Sequence, residues 1–268
     1  MALGLTGVIV AVVVLVRTAG TQQHGAHLIR FSIHSRRVDA VLPVVAVVPP
    51  GRNGAGRPLL VFLHGRGLHG QDANLDEPMF KALAAQGSAA PDIVFPNGGV
   101  ASYWHNRASG RWADYVIDEV IPIALRRLRA DPRRVAIAGI SMGGFGALDL
   151  ARRTPGRFCA IGATSAALGF AGAATPAGAF DDAQDFARHD LLAVAAATNP
   201  FGRTPVWMDV GNADPFLISD RTLAARLRTH GADLQLHVWP GAHTDSYWQA
   251  HWRDTLRFYS AALANCRR

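Results

Sequence analysis

Short apolar segments alternate along this chain with longer segments that are apolar on one side only. The short segments are rich in Val, Ile and Leu, and several are bounded by Gly or Pro, which is typical of buried parallel strands. The longer segments repeat their apolar residues with the period of an α-helix. The predicted strands are Leu28–His34, Val41–Val48, Leu59–Leu63, Ile93–Phe95, Arg134–Gly139, Phe158–Ala163, Val206–Val210 and Leu234–Trp239. The predicted helices are Pro78–Gln86, Trp112–Arg129, Met142–Arg153, Asp220–Thr229 and Ser246–Ala264.

This order of elements predicts one α/β domain over residues 26–268. Strands that alternate with helices favour a mostly parallel central sheet with helices on both faces. No helix separates the first two predicted strands, so we expect them to form an antiparallel hairpin that turns near residues 35–39. That hairpin should lie at the N-terminal edge of the sheet.

Two segments interrupt the alternation. Residues 96–110 are polar and contain Gly, together with Tyr103, Trp104 and His105. Residues 165–204 are rich in Ala and Gly and carry only a weak pattern. Long segments without clear elements in a compact domain are commonly functional. We therefore expect residues 165–204 to form a small lid or cap insert. The aromatic residues of the first segment should either shape a pocket or pack in the core.

The N-terminus carries an apolar run from Leu3 to Val16, 14 residues long. A membrane-spanning helix needs roughly 20 residues, so this length is closer to the apolar core of a signal peptide. No Lys or Arg precedes the run, and Arg17 closes it. We predict a signal peptide or an uncleaved membrane anchor over residues 1–20, with a buried first strand as the alternative. The predicted location is extracellular or in the cell envelope, with possible membrane association through this segment.

Composition narrows the class of protein. Apolar residues make up 49% of the chain and charged residues 18%, which argues against disorder. The net charge of +7 comes almost entirely from scattered arginines, and no nucleic-acid-binding motif accompanies it, so we expect no nucleic-acid partner. The two cysteines, Cys159 and Cys266, do not have metal-ligand spacing. A disulfide between them requires export and proximity in the fold; two separate thiols are the alternative.

The clearest chemical signal is a serine between two glycines, where a predicted strand meets a predicted helix. The segment reads Gly139-Ile140-Ser141-Met142-Gly143. A serine hydroxyl is a weak nucleophile unless a tight turn exposes it beside a base. The glycines permit such a turn, and the following helix directs its first N–H groups at the site. We therefore predict Ser141 as a nucleophile and the Met142 N–H as a donor to a developing oxyanion.

A second oxyanion donor is expected from the loop after the predicted strand Leu59–Leu63. This loop reads His64-Gly65-Arg66-Gly67. Its glycines let the backbone come close to a substrate. The N–H of Arg66 is favoured as the donor over that of Gly65. His64 is expected to orient the loop through its ring nitrogens rather than to act as a base.

The acid and the base should follow the serine in the order acid, then histidine. His243 comes after the last predicted strand and before the last helix, which favours it among the 11 histidines. Asp214 lies in the loop after Val206–Val210 and is favoured as the acid over Asp209, which lies inside that strand, and over Asp245. Asp214 would hold the imidazole in the required tautomer. Three other late histidines are expected to pack or face solvent: His230, His237 and His251.

These motifs resemble an esterase family of α/β-hydrolases. The family includes S-formylglutathione hydrolase (esterase D), the feruloyl esterase domains and the antigen 85 mycolyltransferases. The resemblance covers roughly residues 59–264. The matching segments are Phe62 to Gly67, Trp104 to Pro122, Gly139 to Gly144, Gly211 to Asp214, and Pro240 to Trp248.

The resemblance implies the α/β-hydrolase fold and a serine carboxylic-ester hydrolase that works through an acyl-enzyme. It implies Ser141, Asp214 and His243 as the catalytic triad, with Arg66 and Met142 as the oxyanion donors. No metal or organic cofactor is implied. The expected substrate is a small-molecule ester or a lipid or sugar ester.

Four residues are candidates for contacts with the substrate: His64, Gly65, Tyr103 and Trp104. The chain departs from antigen 85 in its shorter length, in the Ser-Met-Gly-Gly elbow and in an aspartate acid where that subgroup has glutamate. Hydrolysis is therefore favoured over the main alternative, acyl or mycolyl transfer to a sugar. A serine peptidase and a non-catalytic binding protein on the same scaffold are weaker alternatives. The first would usually need an extra domain, and the intact triad candidates argue against the second.

Overall fold

The computed structural model describes residues 23–51, 55–67 and 69–266. The predicted signal peptide or anchor, residues 1–20, lies outside these ranges. Among the helices within them, none combines the length and the apolar character needed to cross a membrane.

Eight strands form one mixed sheet in the order β1-β2-β4-β3-β7-β8-β9-β10. The β1–β2 and β2–β4 pairs are antiparallel, and the other neighbouring pairs are parallel. A separate two-stranded hairpin consists of β5 and β6. The strands are β1 His27–Ser35, β2 Ala40–Val48, β3 Leu59–Leu63, β4 Asp92–Pro96, β5 Asn106–Arg107, β6 Gly110–Arg111, β7 Val135–Ile140, β8 Ile161–Thr164, β9 Val206–Gly211 and β10 Leu234–Trp239.

The predicted α/β-hydrolase architecture is confirmed. The antiparallel edge hairpin is also present: His27 pairs with Val48 and Ser35 pairs with Ala40, so the turn falls between Ser35 and Ala40. Side chains of a strand point alternately to opposite faces, and in β3 residues Val61 and Phe62 pack into different apolar layers. Both faces of the sheet are therefore covered.

The helices are α1 Glu77–Ala84, α2 Trp112–Asp114, α3 Ile121–Leu128, α4 Met142–Arg153, α5 Ala183–Arg188, α6 Leu191–Ala197, α7 Leu217–Thr229 and α8 Asp245–Ala264. The predicted single helix Trp112–Arg129 is interrupted by a wide π-helical segment, Tyr115–Val120. Pro122 follows that segment and has no N–H to donate to the preceding turn, which favours the irregularity.

The weakly patterned segment 165–204 contains two short helices, α5 and α6. Each begins with an aspartate cap: the Asp182 carboxylate accepts the Asp185 N–H, and the Asp190 carboxylate accepts the Ala193 N–H. Aspartate at this position satisfies an N–H group that the helix itself leaves unpaired. These caps were a local sequence signal for the two helices.

Cys159 and Cys266 form a disulfide, with their Cα atoms 5.7 Å apart and 107 residues between them in sequence. Cys159 lies just before β8, and Cys266 follows α8. The bond therefore fastens the end of the last helix to the segment that leads into β8.

Candidate active site

Ser141 occupies the turn between β7 and α4 in a strained backbone conformation, with φ 55° and ψ −116°. Its N–H donates to the Thr164 carbonyl oxygen at 2.9 Å, which anchors the turn to the neighbouring strand. A Cβ atom at Gly139 would collide with the Gly143 backbone, and one at Gly143 would collide with the Leu63 carbonyl. The two glycines are thus required by close backbone approach, and they hold the serine at the carboxyl edge of the sheet.

The loops after β9 and β10 bring an aspartate and a histidine to this serine. His243 Nε2 lies 2.9 Å from the Ser141 hydroxyl oxygen, and His243 Nδ1 lies 2.9 Å from a carboxylate oxygen of Asp214. The Asp214 carboxylate keeps the ring proton on Nδ1, since an ionised carboxylate can only accept. Nε2 is then free to accept the serine proton.

Asp214 is suited to remain ionised. Burial pushes its pKa upward, but hydrogen bonds from His243 and from the Phe216 N–H outweigh burial and hold the pKa below its usual value. The Phe216 N–H lies 2.9 Å from the second carboxylate oxygen. The carboxylate is therefore fixed at both oxygens, which fixes the orientation of the imidazole as well.

Two aromatic side chains contact the imidazole. The rings of Phe216 and Trp248 meet the His243 ring edge-on, with centroids 5.2 and 5.1 Å away. The Trp248 indole N–H donates to the Ser165 hydroxyl at 3.2 Å. Sequence reasoning gave none of these three residues a role at the histidine, although Trp248 belonged to the segment that carried the family resemblance.

The loop after β3 runs beside the serine. Gly65 is so close that a Cβ there would lie 3.4 Å from the Ser141 Cβ. Arg66 follows at the cavity wall, and Met142 begins helix α4. The two predicted oxyanion donors therefore belong to segments that flank the Ser141 hydroxyl.

His64 supports this loop from behind. Its Nδ1 lies 2.6 Å from the Gly65 carbonyl oxygen, and its Nε2 accepts the Gly98 N–H at 2.9 Å. Burial lowers the His64 pKa to about 4, despite an opposing effect of the Gly65 hydrogen bond. His64 is thus neutral at ordinary pH, with its proton on Nδ1. This arrangement fits the predicted orienting role of its ring nitrogens.

Two of the candidate substrate contacts, His64 and Trp104, are not among the described residues that line the cavity. Both are fully buried. The Trp104 indole N–H donates to the His64 carbonyl oxygen at 3.2 Å, and its ring lies against Gly146 of α4, where a Cβ would overlap it. Tyr103 and Trp104 both have positive φ, 51° and 57°. This irregular backbone leaves Tyr103 at the cavity and places Trp104 in the core.

The cavity beside Ser141 has a volume of about 420 Å³. Its wall combines apolar groups with a few polar ones, and it contains two of the predicted substrate contacts, Gly65 and Tyr103. Asn74 is a polar wall residue whose side-chain oxygen is buried without a hydrogen-bond partner among the described residues. The remaining lining residues are Arg66, Gly67, His69, Gly70, Ala73, Ile140, Ser141, Pro176, Phe216, His243, Asp245 and Trp248.

The segment predicted as a lid contributes Pro176 to this wall. Next to it, the Phe180 ring lies 6.1 Å from the Tyr103 ring and 5.6 Å from the Phe145 ring. The insert therefore packs against Tyr103, which borders the cavity, and against Phe145 of α4. Whether it closes over a substrate stays a prediction.

Asp209, the rival acid, lies inside β9 and is completely buried. Its carboxylate accepts hydrogen bonds from the Thr164 hydroxyl, the Trp207 indole and the Tyr247 hydroxyl. Burial raises its pKa to about 6. These contacts give it a structural place in the sheet, away from His243.

The three rival histidines lie elsewhere. His237 stacks on Trp239, which in turn stacks on His251, with ring centroids 5.0 and 4.0 Å apart. These rings lie near a larger cavity, of about 630 Å³, which contains none of the triad candidates in its wall. His230 Nε2 lies 3.1 Å from the Ala196 carbonyl oxygen, at the end of α7.

Known proteins with similar sequences or folds include several esterases. The sequence is 27% identical over 240 residues to the esterase MT1326 of Mycobacterium tuberculosis, a match that covers 75% of this chain and 52% of that protein. The chain thus spans about half the length of this curated relative. The fold resembles that of an S-formylglutathione hydrolase from Agrobacterium tumefaciens, with a TM-score of 0.77, 20% identity, and coverage of 90% of this chain and 96% of that one. It also resembles a ferulic acid esterase, with a TM-score of 0.74, 19% identity, and coverage of 88% and 98%.

The family profile described as "Putative esterase" matches residues 35–259. This stretch includes the elbow, the loop after β3 and the loops that carry Asp214 and His243. The match covers more than half of the chain, and the fold is the one expected for the family. The chain belongs to this esterase family of α/β-hydrolases.

Proposed function

We propose that this protein is a serine carboxylic-ester hydrolase with Ser141, His243 and Asp214 as its catalytic triad. His243 Nε2 removes the Ser141 proton as the serine oxygen attacks an ester carbonyl. The resulting imidazolium is stabilised by Asp214. His243 then gives the proton to the leaving alcohol, which departs and leaves an acyl-enzyme. Water repeats the sequence and releases the acid.

The N–H groups of Met142 and Arg66 stabilise the negative oxygen of each tetrahedral intermediate. Each donor of this kind is typically worth about 3–4 kcal/mol of the activation barrier. The single observation that carries the proposal is the continuous hydrogen-bond chain from Ser141 through His243 to Asp214, with both links at 2.9 Å.

The size of the cavity supports a small substrate. A volume of about 420 Å³ lies at the lower end of the range for small-molecule sites. Ile140, Phe216 and Trp248 supply apolar wall, which suits a short acyl chain or a small aromatic group. Arg66 and the buried Asn74 oxygen supply polar contacts for the rest of the ester.

We further propose that the protein acts outside the cytoplasm. The Cys159–Cys266 disulfide supports this location, because such bonds persist in oxidising compartments. The apolar run from Leu3 to Val16 supports it independently. Detection of the protein in the cytosolic fraction, with both cysteines reduced, would contradict the proposal.

The test of the activity combines covalent labelling with turnover. A fluorophosphonate probe should label the wild type and should not label Ser141→Ala. Turnover of p-nitrophenyl esters should be measured against acyl length for wild type and His243→Ala, with His230→Ala as the matched control at the far end of α7. Equal labelling of wild type and Ser141→Ala, or full turnover by His243→Ala, would refute the assigned residues.

The same assay separates hydrolysis from acyl transfer. Adding trehalose or glucose should not raise the total rate of acyl release, and free acid should remain the product. Formation of an acylated sugar at the expense of free acid would instead favour the transferase alternative.

A further inference from the structure

A buried cluster of two histidines and an aspartate lies outside the active-site cavity, under the insert. His105 follows Trp104 in the irregular loop, Asp185 lies in α5, and His189 comes just after α5. All three are almost fully buried. One side-chain atom from each, a ring nitrogen or a carboxylate oxygen, lies within 4.8 Å of the other two. The proposed esterase reaction uses none of them.

The distances suit a single metal ion. His105 Nε2 lies 3.0 Å from one Asp185 oxygen, and His189 Nε2 lies 3.6 Å from the other. Two ligands on a tetrahedral zinc ion are roughly 3.3–3.5 Å apart, given metal–ligand bonds of about 2.0–2.1 Å. The two separations lie on either side of that value but involve different oxygens of Asp185. One ligand atom from each residue lies within 4.8 Å of the other two, so a rotation of the Asp185 carboxylate and a closer approach of the rings would bring all three residues onto one ion.

The tautomers are favourable as well. His189 Nδ1 lies 2.9 Å from an Asp149 oxygen, so the carboxylate keeps the ring proton on Nδ1 and leaves Nε2 with a free lone pair. A carboxylate behind the ring is the usual support for a metal-binding histidine. His105 Nδ1 is buried with no partner among the described residues. A metal ion at Nε2 would displace the ring proton to Nδ1, the nitrogen that has no other partner here.

We propose that His105, Asp185 and His189 form a binding site for one divalent transition-metal ion of the zinc class, with Asp149 as the positioning residue for His189. Two imidazoles and one carboxylate form a ligand set that zinc accepts and that magnesium and calcium do not favour. The ion would join the irregular loop to α5. Through Asp149, which lies in α4, it would also connect the insert to the helix that starts at the elbow.

Arginines already offset part of the negative charge here. Arg152 lies 2.6 Å from Asp149, and Arg188 lies 3.3 Å from Asp185 with half of its side chain exposed. Arg188 can therefore turn outward when an ion binds to Asp185. The Arg188 guanidinium competes with a metal ion for Asp185. Arg188→Ala removes this competitor and is therefore expected to tighten zinc binding severalfold. A network of ion pairs without a metal site would show no zinc response in that variant.

The test uses full-length wild type stripped with a chelator and titrated with zinc. We expect one zinc per chain by calorimetry, little response to magnesium, and a melting temperature about 5 °C or more higher with zinc than with chelator. X-ray absorption of the zinc-loaded protein should show nitrogen and oxygen ligands at about 2.0–2.1 Å with two imidazoles. Absence of stoichiometric zinc binding by the folded wild type overturns the proposal.

Variants locate the site. His189→Gln and Asp185→Asn should abolish zinc binding, and Asp149→Asn should weaken it about 10–100-fold. His237→Gln is the matched control, since its ring packs against Trp207 and Trp239. His243→Ala tests the active site as the rival zinc site: loss of zinc binding there, with binding retained in His189→Gln, would also overturn the proposal. Because the absorption measurement uses wild type, variants that fail to fold do not remove the test.

Discussion

Two histidine–aspartate pairs in this molecule share one hydrogen-bond geometry and differ in their surroundings. In both, the ring Nδ1 lies 2.9 Å from a carboxylate oxygen: His243 from Asp214, and His189 from Asp149. The Nε2 of His243 faces the Ser141 hydroxyl in a cavity, whereas the Nε2 of His189 faces a second carboxylate in the interior. The side chain of His243 is 24% exposed and that of His189 is 1% exposed.

The comparison of the two pairs indicates what the groups at Nδ1 and at Nε2 each contribute. The aspartate fixes the tautomer in both pairs, so it cannot by itself distinguish a catalytic base from a structural group or a metal ligand. The group at Nε2 makes that distinction. A hydroxyl in an accessible cavity offers a proton to transfer, and a buried carboxylate offers a site for a cation.

The largest expected effect is the difference in esterase activity between variants of His243 and His189. His243→Ala should lower kcat/KM for a p-nitrophenyl ester by about 10⁴-fold or more, equivalent to about 5–6 kcal/mol of barrier, because the base is lost. His189→Ala should lower it less than about tenfold at a temperature where the variant is folded. Steady-state kinetics on variants checked by circular dichroism measure both. Comparable losses in kcat would show that the buried pair also takes part in the reaction.

The next effect compares the two aspartates. Asp214→Asn should lower kcat about 10³–10⁴-fold, because an amide facing Nδ1 favours the wrong imidazole tautomer. Asp149→Asn should leave kcat nearly unchanged and lower the free energy of unfolding by about 3–5 kcal/mol, because it breaks a buried charged contact. Kinetics and urea unfolding of both variants give the comparison. An Asp149→Asn protein of unchanged stability would contradict the structural role of that pair.

The proposed catalytic pair, His243 and Asp214, was largely predictable from the sequence, and the buried pair, His189 and Asp149, was not. The elbow depends on local steric demands at Gly139 and Gly143, which leave a readable pattern. The order of acid and base along the chain follows from the sheet topology. Asp149 and His189 are 40 residues apart, and His105 and Asp185 are 80 apart, with no periodic pattern to connect them.

Irregular backbone explains why the sequence pattern did not predict where the side chains of Tyr103 and Trp104 lie. Tyr103 and Trp104 are adjacent residues with positive φ, so their directions do not follow the alternation of a strand. The space that receives Trp104 exists because Gly146 has no side chain, a relation between distant segments. The helices of the insert are an exception, because the aspartate caps at Asp182 and Asp190 could have been found in the sequence.

Removal of the Cys159–Cys266 disulfide should change stability without disturbing either histidine–aspartate pair directly. It closes a loop of 107 residues, for which the loss of chain entropy in the unfolded state predicts a stabilisation of about 5 kcal/mol. A Cys159→Ala, Cys266→Ala double variant should unfold at correspondingly lower urea concentration while kcat stays within about twofold. Treating the wild type with dithiothreitol is the matched control. Unchanged stability after reduction would indicate that the bond does not constrain the unfolded chain.

The smallest effect concerns His64, a third histidine, which has backbone partners at both nitrogens instead of a carboxylate. Its pKa is about 4 in the folded protein, whereas the ordinary value is 6.5. As pH falls below 6.5, the His64 imidazole binds a proton in the unfolded chain. In the folded protein it binds that proton only near pH 4. The free energy of unfolding therefore falls across this window, by about 3 kcal/mol in total, and this loss is absent above pH 6.5.

His64→Gln keeps an acceptor but does not titrate. The difference in unfolding free energy between wild type and His64→Gln should thus shift by that amount between pH 7 and pH 4. If this difference in unfolding free energy did not change with pH, His64 would have an ordinary pKa in the folded protein. A histidine would then need no carboxylate partner to carry charge beside the loop after β3.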